Sequence, residues 1–330
     1  MPCSLEDSYG VPTFGEYPFF IWTLQLTGMN NEQIIDRIMQ LKKERNAVIL
    51  AHNYCRPEVQ DVADFVGDSL GLAIKATKTD ADVIVFCGVT FMAETAKILN
   101  PGKTVLMAEP EAFCVMAQMC TPEQIETMKA KHPDAEVVGY VNSTASCKTR
   151  LDVCCTSSNA VDIVSGLQSK DVIFIPDMNL GRYVAGKCPE KNVILWDGFC
   201  PMHQFITVRQ VQALKDAYPD APVIAHPECR REVLEMADAV GSTEKMIGLS
   251  RESASDDIII LTECGMKHRL EKECPGKRFH FADNVCCTAM KMMDLMSVLT
   301  VLENMSNQVV LDEATMKDAY IPVKRMIDTQ

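Results

Sequence analysis

The sequence contains no run of about 18 apolar residues, so it offers no helix that would span a membrane. It has no excess of positive charge either. At a net −13 it lacks the basic face that nucleic acids and anionic membranes select, and neither partner is expected. The opening MPCSLEDSYG lacks the basic stretch of an export signal and carries Glu6 and Asp7. Without such a signal, the fifteen cysteines read as reduced thiols of a cytoplasmic α/β enzyme rather than as a disulfide framework. There is no CxxC pair near any of them. That gives thiol–disulfide regulation little support.

What is present is a globular composition, 47% hydrophobic and 23% charged over 330 residues, enough for two or three domains. Residues 1–28 read as an N-terminal extension with an apolar patch from Tyr17 to Leu26. From Met29 the pattern is an amphipathic helix leading into a strand.

Self-similarity organises the rest. Three sets of three apolar runs recur, opening with NAVILAHNY, EVVGYVNS and APVIAHPE. His52, Tyr140 and His226 end these first strands, at offsets of 88 and 86. Runs apolar on both faces imply small parallel sheets covered by helices. The expected fold is α/β, with three homologous three-layer αβα domains arranged with pseudo-threefold symmetry around a central site. The expected units are 29–116, 117–202 and 203–289, with C-terminal helices at 290–330 packing back on the body.

Parallel α/β sheets bind ligands at the C-terminal ends of their strands. The loop after each third strand carries a cysteine: Cys114, Cys200, and the adjacent pair Cys286 and Cys287. The offsets are 86 from Cys114 to Cys200 and 87 from Cys200 to Cys287. Three convergent thiolates suit a cubane iron–sulfur cluster with one open iron, a Lewis acid, or a zinc with an open position. Spacing does not separate the two. Cys87 and Cys264 read as packing thiols, and Cys154, Cys155, Cys229 and Cys274 carry no argued role.

The first-strand ends supply acid–base candidates: His52 and Tyr54, Tyr140 and Asn142, His226 and Glu228, with His203 three residues beyond Cys200. Ser69, Ser157, Ser242 and Thr243 stand near helix starts, where hydroxyls and free N–H groups bind anions or merely cap the helix. The methionine-rich stretch after Cys287 reads as an apolar helical face, and Lys291 as either functional or solvated.

With these motifs in order, the chain resembles the quinolinate synthase family from Ile34 to Ile327. The match runs through AHNY (Ala51–Tyr54), GDSLGLA (Gly67–Ala73), CGVTFMAETAKIL (Cys87–Leu99), YVNSTA (Tyr140–Ala145), CTSSNA (Cys155–Ala160) and IPDMNLGRYVA (Ile175–Ala185). It continues through GFCPMH (Gly198–His203), AHPEC (Ala225–Cys229), GST (Gly241–Thr243), TECG (Thr262–Gly265) and CTAMK (Cys287–Lys291). The resemblance implies three domains around a [4Fe–4S] cluster held by Cys114, Cys200 and Cys287. It picks Cys287 over Cys286 because the family ligand sits three residues before the methionine, here Met290. It implies a transferase of NAD biosynthesis that condenses iminoaspartate with dihydroxyacetone phosphate, losing water and phosphate, and functionally coupled to an aspartate oxidase or dehydrogenase. Tyr54, Tyr140, His203, His226 and Glu228 would be catalytic. His52, Ser69, Tyr140, Asn142, Ser157, His226, Glu228, Ser242 and Thr243 would bind substrate. Cys55 and Met202 depart from the family pattern without touching a ligand. The diphthamide-biosynthesis family, with one cluster cysteine per domain, is the alternative, but the HNY, YVN and HPE triplets favour small-molecule chemistry.

Overall fold

A computed structural model describes residues 28–329, so the expected extension lies almost wholly outside the described residues. The expected opening helix spans Asn31–Glu44. It begins with a capping box between Asn30 and Gln33 and buries Ile34, Ile38 and Leu41 on one face.

Three parallel sheets follow, each of four strands. The first contains β1 (Ala47–His52), β2 (Phe65–Gly67), β3 (Val83–Cys87) and β4 (Thr104–Met107) in the order β2-β1-β3-β4. The second contains β5 (Glu136–Tyr140), β6 (Val153–Cys155), β7 (Asp171–Ile175) and β8 (Asn192–Leu195) in the order β6-β5-β7-β8. The third contains β9 (Val223–Ala225), β10 (Ala239–Val240), β11 (Asp257–Leu261) and β12 (Arg278–Phe281) in the order β10-β9-β11-β12. The sequence reading found three strands per unit. The added one is always an edge strand of two or three residues, too short to show a pattern of its own.

Register confirms which positions correspond. Leu50 pairs with Phe86, Val138 with Phe174 and Ile224 with Ile260. His52, Tyr140 and His226 therefore occupy the same place in the three sheets. The third strands align likewise through the pairs Phe86–Met107, Phe174–Leu195 and Ile260–Phe281.

The interior is not divided evenly. One continuous apolar cluster runs through the first two sheets and the C-terminal helices Leu295–Asn304 and Glu313–Asp328. The third sheet has its own two clusters: Val223, Ala225, Ile259 and Leu261 on one face, and Ile224, Ile258 and Ile260 on the other. That alternation is the period-two signature of a strand covered on both sides. Among the described residues no helix is long and apolar enough to cross a membrane.

Candidate active site

The strand ends of all three sheets face one cavity of about 170 Å³. His52, Tyr54, Ser69, Tyr140, Asn142, Ser157, His203, His226, Glu228 and Thr243 all line it, and so do Cys114, Cys200 and Cys287. Ser242 does not. It is the N-cap of helix Thr243–Glu252, its side chain accepting from Lys245 N, and it turns away from the cavity while Thr243 enters it. Three of the six histidines in the chain lie on this one surface.

The cysteine loops are held from below by the ends of the second strands. The backbone N–H of Cys200 donates to Asp177 Oδ2 at 3.2 Å, and that of Cys287 to Glu263 Oε1 at 2.9 Å. Both carboxylates are fully buried. Asp177 also caps its helix through Asn179 N and Leu180 N, and burial pushes its carboxyl well up. Glu263 pairs with Lys291 Nζ at 2.9 Å and accepts from Gly265 N at 2.7 Å. Lys291 also donates to the Tyr54 carbonyl, so it is a half-buried tie between segments that does not line the cavity. Gly265 has to be glycine, because a Cβ there would lie 2.6 Å from that same carbonyl.

The three thiols are compatible with one soft-metal group. Cys114, Cys200 and Cys287 are partly exposed to the cavity, whereas the other free cysteines among the described residues are buried. Burial pushes the Cys114 thiol up to about 12, with Cys287 adding to it, and raises Cys200, with Cys114 adding to it. Three thiols that line one cavity and resist ionisation as bare groups become thiolates only when a cation compensates them, and thiolate donors select iron–sulfur or zinc. The neighbour Cys286 is committed elsewhere. It is disulfide-bonded to Cys264, which corrects the reading of Cys264 as a packing thiol; Cys87 does remain a free buried thiol.

Above the cysteines lies a polar cluster. Tyr140 Oη donates to Glu228 Oε1 at 2.5 Å, and His203 Nδ1 stands 2.7 Å from Glu228 Oε2, close but off the ideal hydrogen-bond line. The His203 and His226 rings stack at 4.6 Å. Burial alone would raise the Glu228 carboxyl, but His203, His226 and the Tyr140 hydroxyl hold it below the ordinary range. Burial lowers His52 and His226 to about 3, so both are neutral bases. Each accepts on Nδ1 from the backbone N–H two residues on, Tyr54 N at 3.2 Å and Glu228 N at 3.4 Å, which leaves Nε2 as the donor. Burial raises both tyrosines well above their usual value, so their hydroxyls stay protonated.

Sequence reasoning missed several residues here. Asp68, Thr156 and Glu263 line the cavity, and Thr262 lies behind it, hydrogen-bonded to both Tyr54 and His203. Thr262 and Glu263 stood inside the TECG motif, so a signal existed, but no spacing rule assigned them a task. The Asn142 Oδ1 atom is buried without a partner, as a group waiting for a ligand would be.

The chain matches the family model described as quinolinate synthetase A protein over residues 36–328. It is 48% identical over 305 residues to the quinolinate synthase of Sulfurihydrogenibium sp., covering 91% of this chain and 99% of that protein. It is 47% identical over 311 residues to the quinolinate synthase of Aquifex aeolicus, covering 92% and 96%. To quinolinate synthase 1 of Methanosarcina acetivorans it is 48% identical over 300 residues, covering 91% and 98%.

Proposed function

The chain belongs to the quinolinate synthetase A protein family, and on that premise we propose that it condenses iminoaspartate with dihydroxyacetone phosphate to give quinolinate, phosphate and water. The observation that carries this reading is the meeting of three cysteines and the Tyr140–Glu228–His203 cluster in one cavity. In it, Cys114, Cys200 and Cys287 hold a [4Fe–4S] cluster, and the pairing of Cys286 with Cys264 favours Cys287 as the third ligand. When bound, the cluster's open iron supplies Lewis acidity toward a hydroxyl or carboxylate oxygen. The three α/β units, close to 29–116, 117–202 and 203–289, would surround it with pseudo-threefold symmetry, in a cytoplasmic enzyme.

The chain's own residues manage anions and protons. Among the described residues no lysine or arginine lines the cavity, so the phosphate and carboxylates would rest on hydroxyls and backbone N–H groups. Ser69 is the first residue of its helix and Thr243 of another, which places free N–H groups beside each hydroxyl. Asn142 and Ser157 come from the second unit, and the neutral His52 and His226 offer Nε2–H donors. The reaction consists of proton transfers, carbon–carbon and carbon–nitrogen bond formation and eliminations, with no net electron transfer. Glu228, ionised at neutral pH and contacted by Tyr140 and His203, is the group best placed to accept a proton, with Tyr140 returning one. Tyr54 faces them from the first unit.

Anaerobic purification should give about four irons and four sulfides per chain. The product should form from the two named substrates. Stoichiometric zinc with no quinolinate would reject the reading. Glu228→Gln should lower turnover by about 10²–10⁴-fold while leaving iron content unchanged.

A further inference from the structure

We propose that Thr262 is a positioning residue of this reaction, its hydroxyl hydrogen-bonded to both Tyr54 and His203 so that Tyr54 is tied to the ring that stands in close polar contact with Glu228, the acceptor of the second cavity tyrosine, Tyr140. The inference rests on the quinolinate-forming reading above. Thr262 Oγ1 lies 2.7 Å from Tyr54 Oη and 2.8 Å from His203 Nε2. The contacts continue from His203 Nδ1 to Glu228 Oε2 at 2.7 Å, and from Glu228 Oε1 back to Tyr140 Oη at 2.5 Å.

Chemistry gives these contacts a direction. Glu228 Oε1 accepts from Tyr140, and Oε2 stands 2.7 Å from His203 Nδ1, so a proton on Nδ1 faces the carboxylate and Nε2 is left to accept. The Thr262 hydroxyl then donates to Nε2, and its oxygen accepts from Tyr54. One hydroxyl is thus donor and acceptor at once, a task no apolar residue of that shape performs. The links span the molecule: Tyr54 stands beyond β1, Tyr140 ends β5, and Thr262 follows β11.

The fold does not require a hydroxyl there. Register makes Gly88 and Pro176 the counterparts of Thr262 in the other two sheets, each two residues past the paired Phe86, Phe174 and Ile260. Neither carries one. Thr262 is fully buried, where valine would fill the same volume, so packing does not explain the choice. Without this hydroxyl His203 Nε2 loses its partner, and Tyr54 Oη swings free in the cavity. Misplacing a reacting group by about 1 Å costs as much as 10²-fold in rate.

The test is steady-state kinetics on the cluster-loaded enzyme with both substrates. Thr262→Val should lower kcat about 10–100-fold with KM within about threefold, and Thr262→Ser should restore kcat to within about threefold. Iron per chain and Tm of the three proteins should agree. In a Tyr54→Phe background Thr262→Val should cost less than about threefold more, because two hydrogen-bonded partners do not add. Unimpaired T262V, a T262S loss equal to that of T262V, or multiplying effects in the double variant would each overturn the proposal. Should T262V not fold, Thr262→Ala alone and with Tyr54→Phe is read by the same criteria. A wild-type chain that forms no quinolinate removes the underlying reading; a productive one with unimpaired T262V removes only Thr262.

Discussion

The first and third α/β units are built on the same strand order, yet they bring different groups to the cavity. At the first strand end the first unit carries His52 and Tyr54, the third His226 and Glu228. At the second strand end the first unit carries Gly88 and Val89, the third Thr262 and Glu263. The cysteine loop of the first unit is held by neutral bonds, Thr90 donating through N and Oγ1 to the Ala112 carbonyl at 2.9 and 3.0 Å. That of the third is held by a buried carboxylate paired with Lys291. The third sheet also keeps its own apolar clusters, whereas the first shares one with the second. Repetition supplies the frame and the positions, and single substitutions within it divide the chemistry among the units.

The ligand positions are where the units should behave alike, and where the largest effect is expected. Cys114→Ala and Cys287→Ala should each take iron from about four per chain to about zero, however differently their loops are anchored. Cys286→Ala, which only opens the bridge to Cys264, should keep most of it. Iron and sulfide analysis of the three proteins decides this. Loss on C286A with retention on C287A would show that the neighbouring cysteine is the ligand.

Features that repeat over more than a few residues were legible in the sequence, and most of those that occur once were not. Strand ends and cysteine loops recur at offsets of 86 to 88, so three copies testify to each. The edge strands β2, β6 and β10 repeat too, but two or three residues hold too little periodicity to register. Thr262 has no hydroxyl counterpart, and threonine beside a strand is an ordinary β-former, so only the contact with Tyr54 and His203 shows its task. The Cys264–Cys286 bridge joins residues 22 apart in a unit read as reduced; export signals speak to compartment, and give no account of two thiols set side by side by β11 and the loop after β12. Ser242 and Thr243 looked alike as helix-start hydroxyls, and only the direction of each side chain separates cap from cavity.

Anchoring is the sharpest difference between the units. Glu263→Gln leaves Lys291 without its buried partner and weakens the bond from Cys287 N. Removing such a supporting group costs metal sites about 10–100-fold in retention, and the same loss is expected here. Val89→Ala in the first unit should instead cost about 2 kcal/mol of stability from lost burial, with cluster retention unchanged. Iron release to a chelator, followed beside urea unfolding, separates the two. Equal retention in both variants would mean that the carboxylate is no anchor and that the units hold their cysteines by loop packing alone.

The smallest effect lies where the first and third units agree and the second stands apart. His52 and His226 are buried neutral, with folded values near 3 against an ordinary 6.5. Between those limits the unfolded chain binds a proton that the folded chain refuses, so stability falls as pH drops below 6.5 and the loss is complete near 3. Above 6.5 neither histidine contributes. Each should remove about 1.4 kcal/mol per pH unit within that window. Tyr140, in the same position of the second unit, is protonated throughout and contributes no such slope. Urea midpoints of the metal-free chain from pH 7 to pH 5 should therefore decline, and His52→Asn and His226→Asn should each flatten the decline by a similar amount. Tyr140→Phe should shift the whole curve and leave its slope as it was. A slope untouched by either histidine variant would place the acid sensitivity outside the strand ends.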